Sequence, residues 1–330
     1  MEQRTLGRTG RPVSVIGLGT WQLGADWGDV SESAARTVLE ASADHGVTFF
    51  DTADVYGGGR SERIIGQFLA AHPDAGFTVA TKMGRRADQV PESYTAENYR
   101  GWVDRSRRNL GTERLDLVQL HCPPSAVIEA EATYDALDAL VADGSIAAYG
   151  VSVETCDQAL SAISRPGVAS VQIILNALRL KPLDQVLPAA AQAGVGIIAR
   201  VPLASGLLSG RYGASTTFAP DDHRSYNRDG SAFDVGETFS GVPWEDGLAA
   251  SAAFAQLVER LPGAPTPAQA ALAWCWQQPG VTTVIPGARN PEQAVANAAA
   301  GLVPPLGRDF RDGVRALYDG HVRELVHSRW

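Results

Sequence analysis

The chain has 330 residues, 45% of them hydrophobic, and a formal charge of −9, which is enough apolar material for a large core. Its basic residues are scattered with no Lys/Arg cluster, which argues against nucleic acid or an anionic membrane as the main partner. No apolar run approaches the ~18 residues of a bilayer span, Met1-Glu2-Gln3-Arg4 opens no signal-peptide core, and the three dispersed cysteines, Cys122, Cys156 and Cys275, suit a reducing cytoplasm.

In chain order, residues 4–6 and 12–15 flank Gly7-Arg8-Thr9-Gly10 and predict a small hairpin. Strand and helix patterns then alternate. The first strand, 15–18, ends in Gly19-Thr20-Trp21 and precedes a helix over 31–43. The second, 47–50, stops at Asp51, and Ser61 with Glu62 reads as the capped start of a helix over 61–70. The third, 77–81, ends at Lys82 before a helix over 95–110, and the fourth, 115–120, ends at His121 before a helix over 127–142. Strand five, 147–151, ends at Ser152 and leads to a helix over 156–163. Strand six, 171–175, carries Gln172 and precedes a helix over 183–193. Strand seven, 196–201, runs into Pro202-Leu203-Ala204-Ser205-Gly206, and strand eight, 282–285, precedes a helix over 291–300.

Eight such units predict a (β/α)₈ barrel occupying residues 1–330 as one domain. A doubly wound open sheet is the competing fold, but it usually begins with a Gly-rich phosphate fingerprint, and neither G-x-G-x-x-G nor G-x-x-x-x-G-K-[ST] occurs. Residues 206–243 form a loop long enough to be a candidate lid, with Leu207 and Leu208 suggesting that part of it packs. The 308–325 tail has helical spacing and is expected against the barrel's flank or mouth.

Consecutive strands end in chemistry: Asp51 and, one turn on, Tyr56; then Lys82; then His121. Neighbouring strands lie ~4.8 Å apart, so groups at their ends can meet. An ammonium beside a phenol stabilises the phenolate and lowers its pKa, a carboxylate holds the ammonium, and an imidazole can polarise a carbonyl oxygen. Together these groups suit proton donation during reduction of an aldehyde or ketone. Taken singly, Lys82 reads as a surface ion pair and His121 as a structural histidine. Of 28 basic residues only Lys82 and Lys181 are lysine, so a lysine at a polar strand end suggests a lysine-specific role. The six histidines form no H-x-H or H-E-x-x-H pair, so no metal is expected. Asp51 with Asp54 is a poor glycosidase pair, and the G-x-S-x-G elbow of a serine hydrolase is absent.

Asp51-Thr52-Ala53-Asp54-Val55-Tyr56-Gly57, Lys82, and Leu117-Val118-Gln119-Leu120-His121 resemble the catalytic tetrad of the aldo-keto reductase superfamily. The resemblance extends to Gly17-Leu18-Gly19-Thr20-Trp21, Gly150-Val151-Ser152, Pro202-Leu203-Ala204-Ser205-Gly206 and Ile285-Pro286-Gly287-Ala288-Arg289, nearly the whole chain. It implies a barrel that reduces carbonyls with NADPH, or with NADH. Tyr56 would be the proton donor, Lys82 and Asp51 its tuners, and His121 the carbonyl-orienting group. The implied cofactor contacts are Gly19, Thr20, Trp21, Asp51, Ser152, Gln172, Arg200, Pro202, Leu203, Ser205, Gly206, Leu208 and Gly210, with Gly287, Arg289, Gln293 and Asn297 at the adenosine end. Trp21, Trp27 and Val55 would wall a pocket for an apolar or aromatic carbonyl, beside Tyr56 and His121.

Three positions depart from the common pattern. Val153 follows Ser152 where many members have asparagine; Arg200 stands where an aromatic usually stacks on the nicotinamide; Gly287 replaces a lysine. The last resembles the bacterial branch related to potassium-channel β-subunits. A cofactor-binding regulatory subunit is therefore the alternative to an enzyme. A monomer or small homo-oligomer is expected.

Overall fold

The computed structural model describes residues 1–24 and 30–330, so the expectation for Trp27 lies outside the described residues. Strands β1 (Gln3–Thr5) and β2 (Pro12–Ser14) form the antiparallel hairpin. The main sheet comprises β3 (Leu18–Gly19), β4 (Phe49–Asp51), β5 (Thr78–Met83), β6 (Leu117–His121), β7 (Tyr149–Ser152), β8 (Val168–Ile174), β9 (Gly196–Arg200) and β10 (Val281–Val284). All its pairs are parallel and follow chain order, and bridges Ile16–Val284 and Gly19–Gly287 join the last strand to the first. This is the expected (β/α)₈ barrel.

Around it run α1 (Glu32–Asp44), α2 (Arg60–Ala71), α3 (Ala96–Leu110), α4 (Ser125–Glu129), α5 (Glu131–Ala142), α6 (Cys156–Ile163) and α7 (Val186–Ala193). The series continues with α8 (His223–Tyr226), α9 (Trp244–Val258), α10 (Pro267–Trp276), α11 (Pro291–Ala299), α12 (Arg308–His321) and α13 (Arg323–Val326). Side-chain caps start many of them: Ser31 accepts from Ala34 N, Thr95 from Asn98 N, and Thr155 and Thr266 form capping boxes with Gln158 and Gln269.

Leu6, Val13, Phe49, Ala80, Leu117, Ile198 and Ile285 form their own apolar cluster, joining residues of the hairpin to those of the barrel strands. The hairpin plugs the end where the strands begin. Gly7, at φ +48°, has no room for a Cβ against Ala169 O and Gly196 N. Chemistry is thereby left to the opposite, carboxyl end of the strands.

Three local expectations are corrected. Ser61 does not cap α2; the cap position is Gly59 (φ 94°), and the Ser61 hydroxyl is buried against Thr20 Oγ1 (2.8 Å) and Thr52 Oγ1 (2.9 Å). The 127–142 helix is two helices, broken where Ala130 turns extended (ψ 126°). The 183–193 helix begins instead as a 3₁₀ turn at Lys181–Leu183, and α7 follows at Val186. The long 206–243 segment is ordered by short turns, with Leu207 and Leu208 buried. The tail packs as α12, placing Phe310 edge-on to Phe254 of α9 at 5.9 Å.

Candidate active site

Strand register brings the polar ends together. Asp51 pairs laterally with Gly19 and Ala80, His121 with Ser152, and Ser152 with Gln172. Lys82 is buried, 1% exposed, which removes the surface-ion-pair reading. Its Nζ donates to Asp51 Oδ1 (2.5 Å), to Thr52 O (2.9 Å) and to Tyr56 Oη (3.4 Å). Asp51 Oδ2 accepts from Gln172 Nε2 (2.7 Å) and Gln119 Nε2 (3.1 Å), so all of the carboxylate's contacts anchor it. Tyr56 is held on a 3₁₀ turn, Tyr56–Gly59, in which Gly57, Gly58 and Gly59 are successively left-handed. A Cβ on Gly57 would collide with Gly24 O, so this turn needs glycine. Trp21 stacks near the phenol (centroids 6.1 Å, 21°), and the His121 ring stands edge-on to it at 6.0 Å.

Electrostatics differ from a simple expectation in one respect. Burial raises the Tyr56 pKa, and although Lys82 opposes this, the net direction is up. Burial works to lower Lys82, but Asp51 and Tyr56 outweigh it and hold the ammonium above its usual value. Burial, then the cations Arg85, Lys82 and Arg200, hold His121 well below the usual histidine range, so its imidazole is neutral at pH 7. His121 Nδ1 has no hydrogen-bond partner among the described residues.

Asp51, Tyr56 and His121 line one cavity of about 870 Å³. Of the residues expected at a cofactor, Gly19, Thr20, Trp21, Asp51, Ser152, Gln172, Arg200, Pro202, Leu203, Ser205, Gly206, Gly287, Arg289, Gln293 and Asn297 line it, as does Val55. Leu208 and Gly210 do not: Leu208 is buried in the apolar core, and Gly210 closes a turn at φ 71°. Arg200 is pinned, donating to Glu154 Oε2 (2.9 Å), Val153 O (2.9 Å) and Glu237 Oε1. Cys122 Sγ and oxygens of Glu154 and Glu237 lie within 4.8 Å of one another, a spacing that suits a metal, but the Arg200 guanidinium already bridges the two carboxylates.

Sequence reasoning missed Arg85, Arg211, Tyr212, His223, Arg224, Phe233, Glu237 and the 266–269 stretch, all lining the cavity. Arg85 follows Lys82 by three residues, a usable signal. Glu237 sits inside the long segment with no local pattern to distinguish it.

A model of the Aldo/keto reductase family matches residues 15–319. An uncharacterized oxidoreductase of Mycobacterium tuberculosis is 33% identical over 323 residues, 92% of this chain and 88% of that protein. A probable voltage-gated potassium channel subunit beta of Oryza sativa subsp. japonica is 30% identical and covers 100% of both chains. Among solved structures, the glycerol dehydrogenase of Gluconobacter oxydans superposes with TM-score 0.77 at 30% identity, covering 94% of this chain and 93% of its own.

Proposed function

The chain belongs to the aldo/keto reductase family, and on that premise we propose that it reduces aldehydes or ketones to alcohols with NADP(H). The observation that carries the reading is the buried Lys82 ammonium, joined to Asp51 on one side and to the Tyr56 phenol on the other.

The residues present fit a dinucleotide. A cavity of about 870 Å³ is at the upper end of the ~300–1,000 Å³ range of ligand sites. Arg211, Arg224 and Arg289 give it a cationic lining, and α11, capped by Asn290, points an N-terminus at it. Arg289 would take the 2′-phosphate that distinguishes NADP from NAD. Gln172 and Ser152 would face the nicotinamide end, while Arg200, held by two carboxylates, would act as fixed wall.

Bound reduced nicotinamide supplies the hydride that ends on the carbonyl carbon. Tyr56 Oη gives its proton to the carbonyl oxygen. The raised phenol pKa keeps that proton in place until the oxygen becomes alkoxide-like, a base strong enough to take it. Lys82 then faces the new phenolate, and Asp51 keeps Lys82 charged and aimed. The neutral His121 offers an N–H to the same oxygen without adding a cation to the site. Tyr56→Phe should lower turnover by about 10²–10⁴-fold while NADP(H) binding survives. Reduction of a good aldehyde at near wild-type rate by this variant would rule Tyr56 out as the donor.

The full-length likeness to a potassium channel β-subunit supports a second reading, a cofactor-binding regulatory subunit with incidental turnover. A carbonyl panel assayed with NADPH and NADH separates the two. Turnover below about 10⁻² s⁻¹ on every substrate, against a typical ~10 s⁻¹, would favour the regulatory reading.

A further inference from the structure

The charged wall around the Tyr56–His121 pair is not uniformly engaged. Both terminal nitrogens of Arg200 are engaged, by Glu154, Glu237 and Val153 O. Arg85 is less engaged. It lines the cavity, its side chain is 25% exposed, and it donates one long hydrogen bond, Nη2 to Glu154 Oε1 at 3.3 Å. Its Nε and Nη1 have no partner among the described residues. Glu237 also lines the cavity. One of its oxygens is taken by Arg200, and the other, Oε2, has no hydrogen-bond partner among the described residues. The two groups gather beside the strand end that carries His121: Arg85 donates to Glu154, and ligand atoms of Glu154, Glu237 and Cys122, the residue after His121, lie within 4.8 Å of one another.

A spare donor and a spare acceptor in the cavity that holds Tyr56 and His121 narrow the substrate. An apolar or aromatic carbonyl would desolvate both groups and pair neither. A carboxylate-bearing carbonyl would satisfy Arg85 but face the open Glu237 oxygen, a like charge. A hydroxyl both donates and accepts, and satisfies both. We propose that Arg85 and Glu237 form a hydroxyl clamp, so that the preferred substrates are carbonyls bearing a neighbouring hydroxyl, small hydroxyaldehydes or hydroxyketones. This rests on the reductase reading of the same cavity, and competes with the expectation of an apolar or aromatic carbonyl.

The test compares 2-hydroxypropanal, propanal and glyoxylate with NADPH, in the wild type, Arg85→Met and Glu237→Gln. A hydrogen bond to a charged group corresponds to about a 10- to 100-fold preference in kcat/KM. The wild type should prefer 2-hydroxypropanal to propanal by that factor, mostly through KM. Arg85→Met should lose at least about tenfold more on 2-hydroxypropanal than on propanal. Glu237→Gln should act in the same sense, and Arg85→Met keeps the test open should loss of the Arg200 partner unfold that variant. Equal activity on the two aldehydes, a preference for glyoxylate, or equal losses on both substrates would overturn the clamp. A parallel binding measurement needs no turnover: quenching of tryptophan fluorescence, Trp21 lying in the cavity, by propane-1,2-diol against propan-1-ol. Arg85-dependent, diol-selective quenching in a protein that reduces nothing would sink the reductase reading and keep the clamp. Diol binding unaffected by Arg85→Met, or no diol selectivity, would sink the clamp.

Discussion

Asp54→Asn tests whether an unpaired acid burdens the loop that carries Tyr56. Asp54 is fully buried, and neither carboxylate oxygen has a hydrogen-bond partner among the described residues. Burial, then the neighbouring Glu62, raise its pKa from 3.8 to about 7; Arg105 and Arg86 offset this only in part. Below pH 3.8 the acid is protonated in both folded and unfolded chains and contributes nothing to the balance. Between 3.8 and about 7 the folded chain holds a proton that the unfolded chain has released, so stability falls as pH rises; above about 7 the deficit is constant. About three units at 1.36 kcal/mol each set a ceiling of ~4 kcal/mol, and relaxation around the site leaves an expected ~2–4 kcal/mol. Asparagine has nearly the shape of the protonated acid and does not titrate. Its unpaired amide adds a pH-independent cost of ~1–3 kcal/mol, so the informative quantity is how the variant–wild-type difference changes with pH. Urea unfolding of both proteins at pH 4, 6 and 8 measures it. The difference should move in the variant's favour by ~2–4 kcal/mol from pH 4 to pH 8. A difference that stays flat across this range, or moves the other way, would refute the reasoning.

Lys82→Met should remove the cation that opposes burial at Tyr56, weakening carbonyl reduction and moving the alkaline limb of the pH–rate profile; an overlay on the wild type would exclude this coupling. Arg289→Ala should weaken NADPH much more than NADH in a fluorescence titration, and equal loss for both would exclude a 2′-phosphate contact. Trp330 lies over the buried Arg179 guanidinium at 3.9 Å, and its Nε1 donates to Asp234 Oδ1 at 3.1 Å, three residues from Glu237. Trp330→Ala should therefore expose the 206–243 segment to protease several-fold faster while Trp330→Phe restores much of the protection, whereas unchanged cleavage in both would show that the tail does not hold this segment.

The barrel was legible because its signals are local. Eight apolar runs mark the strands, several of them stopping at polar residues such as Asp51, Lys82, His121 and Ser152. Two of the helix starts expected from the sequence, Ser31 and Thr95, are positions whose side chain caps a backbone N–H three residues on. Asp51, Lys82 and His121 could be aligned because successive parallel strands are neighbours, so position along a strand translates into position in space. Ser61 shows where such reading stops: a serine ahead of an apolar run looks like a cap, but its hydroxyl serves Thr20 and Thr52 inside the fold. The acidity of Tyr56 was equally out of reach. Its ammonium neighbour was readable from strand order, but the burial that outweighs that neighbour depends on Trp21 and the surrounding cavity wall. Arg200 came to rest between Glu154 and Glu237, 46 and 37 residues away, and no pattern along the chain announces such pairs. Desolvation and long-range ion pairing are properties of packed volume, which only the closed barrel and its 206–243 segment create, so the tertiary structure alone decided which charges in this cavity are spent and which remain available.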